Sequence, residues 1–169
     1  ETLIRRVHFD LIGLPPSPAQ IDAFANDASP DAYEKVVNRL LVADGYGEHW
    51  AQHWLDLARF AQSDGFEHDK VRPDAWRYRD WVIRALNDDL PYDQFVQWQI
   101  AGDELAPDNP DAALATGFLL SGPDMPDINL AKERQHNVLN ELTSAVGASI
   151  LGLGIGCAQC HDHKYDPVS

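Results

Sequence analysis

Cysteine is nearly missing from this chain. Two stand among 169 residues, Cys157 and Cys160, and the 156 residues before them hold none. No further cysteine stands elsewhere to complete an all-cysteine zinc site. Basic residues are also scarce: 13 Lys and Arg face 27 Asp and Glu, a net charge of −14. That balance argues against nucleic acid, whose phosphates need a Lys/Arg surplus, and against anionic membrane surfaces. No apolar run approaches the ~20 residues that cross a bilayer. No signal-peptide core precedes ETLIRR, and the chain stops just past its cysteines. We read it as a mature or excised piece of a longer protein, so the missing targeting signals say nothing about compartment. Period-2 alternation is missing too, which removes the strand-to-helix setting in which a thioredoxin-like C-x-x-C pair usually sits.

What is present is helical. With 44% hydrophobic residues, five Trp, five Tyr and six Phe, the chain has the means to bury one core, and we expect one domain over residues 1–169. Helix starts share one chemistry, an oxygen-bearing side chain beside proline: Ser17-Pro18 with Gln20 as a capping box, Ser29-Pro30, Asn109-Pro110, and Asp89 with Pro91. In EHWAQHWLDLARFAQ, from Glu48 to Gln62, Trp50, His53, Trp54 and Leu57 share a face. In the stretch from Trp76, Trp76, Arg79 or Asp80, Ile83 and Leu86 recur similarly. A long pattern from about Leu130 to Leu153 carries Val138, Leu142, Ala145, Ser149 and Leu153 along a stripe. IGLPPSP reads as a loop. The expectation is an all-α fold of six or seven helices with short connections.

The chemistry gathers in GCAQCHDHKYDP, Gly156 to Pro167. Cys157-Ala158-Gln159-Cys160-His161 is C-x-x-C-H, the attachment pattern of c-type haem. Two thiols three residues apart on a helical turn reach the two vinyl groups on one porphyrin edge. The following His161 then offers an imidazole as proximal iron ligand. Thioether bonds would consume both cysteines. The same run also suits a dithiol or disulfide pair, or zinc held by Cys157, Cys160 and His161 or His163. Gly152, Gly154 and Gly156, leading in, read equally as close backbone approach to a flat cofactor or as a helix end and turn.

The distal side of such an iron has several candidates. His53 lies among the tryptophans of its helix and would be a buried imidazole, either a distal ligand or a hydrogen-bonded core residue. Met125, the one methionine, is a possible thioether ligand. An open iron is the third option. His136 and His68 read as solvent-facing. Arg77 and Arg79 in WRYRDW suit haem propionates through bidentate guanidinium contacts, or else form an ordinary Arg/Asp network around two Trp rings. Asp103 and Glu104 read as solvated residues at a helix end.

Taken together, RRVHFDLIGLPPSP, YGEHWAQHWLDLARFAQSDGF, RPDAWRYRDWVIRALNDDLPYDQFV, AGDEL, ATGF and CAQCHDHKYDP make the chain resemble the cytochrome-associated domain family abundant in planctomycetes, the planctomycete surface cytochrome type. The resemblance runs end to end. It covers His53, Trp54, Asp56, Arg59, Trp76 to Trp81, and Cys157, Cys160, His161, His163, Lys164, Tyr165 and Asp166. It departs at ERQHNVLNELTSAVGASILGL, where the family shows an acidic-arginine stretch, and at Phe60, where a Tyr is common. The resemblance implies export to the periplasm or cell surface, large multidomain proteins with separate cytochrome c modules, and haem redox chemistry. The function expected is electron transfer by haem c to a redox partner protein or a neighbouring cytochrome domain. The alternatives are a haem oxidoreductase with an open distal site, and a structural module using CAQCHDH for zinc or a disulfide.

Overall fold

The computed structural model describes residues 1–65, 69–123 and 130–169. Met125 and His68 lie outside the described residues. Seven longer helices and three short ones follow in order among those described: α1 (Thr2–Ile12), α2 (Pro18–Asn26), α3 (Ala32–Leu41), α4 (Asp44–Leu57), α5 (Trp76–Asn87), α6 (Tyr92–Leu105), α7 (Pro110–Ala115), α8 (Gly117–Leu120), α9 (Ala131–Val146) and α10 (Ile155–Ala158). A π-type turn, Gly147–Leu151, continues α9. The described residues form no strand, only one isolated antiparallel bridge between Ser63 and Val71. The all-α expectation holds.

Two caps formed as the sequence prescribes. Ser17 accepts the N–H of Gln20 while the Gln20 side chain accepts that of Ser17, and Asn109 accepts the N–H of Asp111. Two did not. Ser29 gives both its N–H and its hydroxyl to the carboxylate of Asp27, so α3 starts later, with Asp31 at its cap position. Asp89 sits at φ 49° in the left-handed region and caps nothing; Pro91 opens α6.

The core centres on α4 and α5. Gly47 and Ala51 on α4, with Ala58 just past its end, form a narrow stripe, small enough for α5 to approach closely with Tyr78, Trp81, Val82 and Ala85. Asn87 locks the pair, accepting the Gly47 N–H at 2.7 Å and donating to the Asp44 carbonyl at 3.1 Å. The buried face of α5 is therefore only in part the expected one: Ile83 and Leu86 pack half-buried at the core's edge, but Trp76 does not. Trp76 is 46% exposed, with the Arg77 guanidinium over its ring, because Tyr78, Trp81, Val82 and Ala85 make a competing three-and-four stripe that fits against α4. Trp81 stacks on Phe95 of α6 at 5.2 Å, and Phe118 of α8 is fully buried in the same cluster. A second cluster, Ile4, Val7, Val36 and Leu40, joins α1 to α3.

Inside the main core lies one polar knot. Gln99 Oε1 accepts both the Trp54 indole N–H and the Tyr78 hydroxyl at 2.7 Å, and its amide nitrogen donates to the Phe95 carbonyl. Every polar atom of the trio has a partner, so its burial carries no orphaned-donor penalty. Burial pushes the Tyr78 phenol well above its ordinary pKa.

α9 and its π turn dock on the end of α4. Arg59 donates to the Glu141 carboxylate at 2.8 Å, Ser149 Oγ donates to the Leu57 carbonyl, and Val146 and Ile150 pack against the main core. This docking carries the cysteine segment on its far end.

Candidate functional site

The long pattern expected from Leu130 to Leu153 ends as an α-helix at Val146. The π turn then closes with Gly152 at φ 66°, where the Leu153 N–H returns to the Gly147 carbonyl. So the glycines before the cysteines make a helix end and a turn. A Cβ at Gly154 would fall 2.8 Å from His163 Nε2, so this glycine lets the downstream loop fold back onto the turn.

The short helix α10 presents the motif. Ile155 points inward against Gly147, which leaves Cys157 and Cys160 on the outside, both unpaired and exposed. They stand one turn apart, with the Cys160 N–H toward the Cys157 carbonyl. No disulfide joins them.

His161 is exposed, and its Nδ1 lies 2.8 Å from the Asp162 carbonyl. A carbonyl only accepts, so Nδ1 carries the proton and Nε2 keeps its lone pair. This is the arrangement of a ligating histidine, whose second nitrogen is fixed by a backbone or carboxylate acceptor. His163 is opposite in character. Its Nδ1 accepts the backbone N–H of Asp166 at 2.7 Å and lies 3.3 Å from that of Tyr165. A neutral His163 therefore carries its proton on Nε2 and has no lone pair left for a metal. Asp166 Oδ2 in turn accepts the Gly154 N–H at 2.6 Å. His163 and Asp166 latch the loop to the turn; His161 faces out. Among the described residues no three His, Cys, Asp or Glu side chains are grouped as a metal site.

The other sequence candidates lie apart from this turn. His53 is exposed, a correction to the buried imidazole expected. The small-residue stripe of α4 turns Ala51, Trp54 and Ala58 inward, which rotates Trp50, His53 and Leu57 onto an open groove of about 500 Å³ shared with Tyr46, Leu90 and Tyr92. No described residue of the cysteine segment lines it. Arg77 pairs with Asp74 at 3.0 Å, and Arg79 with Asp80 at 2.7 Å. Both make the local ion pairs that were the plainer of their two readings. Arg77 also borders an apolar cavity of about 470 Å³ with Phe60, Val71, Tyr78 and Leu120. His136 is exposed on α9, and Asp103 and Glu104 are exposed on the last turn of α6.

Sequence reasoning missed three residues that matter. His49 precedes His53 by one helical turn, a spacing visible in EHWAQHW. Gln99 gave no signal, since nothing local shows that two ring donors converge on it. Arg72 clamps two separate segments, giving Nε to Asp64 and its other nitrogens to the carbonyls of Leu120, Ser121 and Gly122.

A mostly helical domain ending in a solvent-facing C-x-x-C-H turn, braced by a histidine-aspartate latch, is the class these observations define. The chain belongs to the family described as PSCyt2, protein of unknown function (DUF1549), which matches it over residues 1–169. No curated protein and no solved structure matches it.

Proposed function

We propose that this domain holds covalently attached haem c on Cys157, Cys160 and His161 and serves electron transfer within a larger exported protein. The observation that carries the reading is the His161 ring: its Nδ1–H is fixed on the Asp162 carbonyl and Nε2 is left free, one residue after two unpaired, exposed thiols. The residues fit the group. Cys157 and Cys160 would hold it by thioethers and His161 through Nε2, and the bound group would supply one-electron redox chemistry. The protein's part is positioning. The Asp166–Gly154 bond and the His163 ring hold the turn against α9, so both sulfurs start from a set geometry. The outward placement favours contact with a redox partner or a neighbouring cytochrome domain over an enclosed substrate site. In this reading His53, Arg77 and Arg79 stay outside the cofactor's contacts. Covalent haem attachment normally takes place outside the cytoplasm, which makes the periplasm or cell surface the working location.

Zinc is the weaker reading. Cys157, Cys160 and His161 supply three donors, but the remaining nearby imidazole, His163, has its Nδ1 engaged and Nε2 protonated. A visible spectrum of protein matured in an export-competent host separates the two. A Soret band that survives acid-acetone extraction is expected. Its absence, together with stoichiometric zinc, contradicts the haem reading.

A further inference from the structure

We propose that His49 and His53 form a second, separate site, one for a divalent transition-metal ion of the imidazole-preferring kind. The two lie at i and i+4 on α4, so one face carries both, and their ring centroids are 5.5 Å apart. A metal bound to two imidazole nitrogens at ~2.0–2.1 Å, at an angle between square and tetrahedral, sets ring centroids about 4.5–5.2 Å apart. At 5.5 Å the rings stand just beyond that range, so sharing an ion requires rotation about their side-chain torsions that turns one nitrogen of each toward the other.

The ring nitrogens are available. Neither ring makes a hydrogen bond among the described residues; their aromatic contacts are with each other and with Trp50, at 5.4 Å from His53 and 6.1 Å from His49. His49 Nδ1 lies against Gly13, where a Cβ would fall 2.6 Å away, so Nε2 is its ligating atom. Two imidazoles leave the remaining positions to solvent, because no third His, Cys, Asp or Glu joins them among the described residues. Imidazole donors suit Ni²⁺, Cu²⁺ and Zn²⁺ over Mg²⁺ or Ca²⁺, and a chain of net charge −14 concentrates cations near its surface. This site rests on nothing at the cysteine turn, and its failure would leave the haem reading untouched.

The test is equilibrium dialysis with Ni²⁺ on the intact chain, its two thiols alkylated so that they do not compete. Parent protein, His49→Gln, His53→Gln, a shifted variant carrying Glu48→His with His49→Gln, which sets the two imidazoles five residues apart on different faces, and His136→Gln as control are compared, with circular dichroism confirming equal helix content. The parent binds one ion. Each single substitution and the shifted variant weaken binding at least tenfold, although the last keeps the histidine count, and His136→Gln binds as the parent does. The proposal is overturned if His49→Gln, His53→Gln or the shifted variant loses less than tenfold. An equal loss in His136→Gln overturns it as well.

Discussion

His163 accepts the backbone N–H of Asp166 at 2.7 Å, while the Asp166 carboxylate accepts that of Gly154 across twelve residues of chain at 2.6 Å. These bonds close the loop that carries both thiols and His161. Asp166→Ala removes the acceptor for the partly buried Gly154 N–H, at a cost of about 1–3 kcal/mol. The loss is local. Hydrogen exchange at the amides of Gly154 and Asp166 should speed up, while the amides of α4 and α5 keep their protection. Unchanged exchange at Gly154 would show that the latch does not hold the turn.

The knot of Trp54, Tyr78 and Gln99 makes a second prediction. Gln99→Leu removes the acceptor that serves both ring donors and leaves two buried groups with only the 3.2 Å contact between them. Denaturant unfolding should show a loss of about 2–4 kcal/mol. Gln99→Glu restores an acceptor but buries a carboxyl, and should recover only part.

Alkaline stability follows from the same residue trio. Tyr78 has its pKa raised by burial, which outweighs the opposing effect of the Trp54 contact. In the unfolded chain the phenol ionises near its ordinary value of about 10, while in the folded chain it stays protonated. The folded state then binds more protons, so stability falls as pH rises. This contribution is fully present below pH ~10 and is lost progressively above it, toward the raised folded value. Tyr78→Phe should flatten the stability profile above pH ~10 and cost only about 1 kcal/mol at neutral pH. An equally steep alkaline decline in the variant contradicts the assignment.

Close helix packing predicts opposite signs for two glycine substitutions. A Cβ on Gly102 would lie 2.1 Å from the Ala112 carbonyl oxygen, so Gly102→Ala must push α6 from α7 and should destabilise by about 1–3 kcal/mol or more. A Cβ on Gly45 meets only Ile12 at an ordinary 3.5 Å, and Gly45→Ala in the first turn of α4 should stabilise by about 0.5–1 kcal/mol. Thermal melts of the two variants decide both.

Much of this fold is written locally. The capping box at Ser17 and the Asn109 cap are complete within four residues, and helix period marks α4, α5 and α9. What failed needed a partner far along the chain. Ser29 reads as a cap until Asp27 takes its hydroxyl. The aromatic face of α4 reads as core until one sees that Gly47, Ala51 and Ala58, the small residues, let α5 come near and send His53 outward. The Trp76 phase of α5 lost to Tyr78 and Trp81 for the same reason. At the cysteine turn the residue types were fully legible, because C-x-x-C-H is contiguous. The contrast between His161 and His163 was not, since it rests on which backbone group each Nδ1 meets.

The most direct measurement of the central claim is the intact mass of the domain matured alongside haem-attachment machinery, read with its pyridine haemochrome spectrum. Each thiol adds across a vinyl group with no atom lost, so the mass should rise by one complete haem. Cys157→Ser and Cys160→Ser should each leave at most one thioether and a shifted haemochrome band, and the double variant should gain no mass. An unmodified parent mass, or both single variants showing the parent band, would contradict the account.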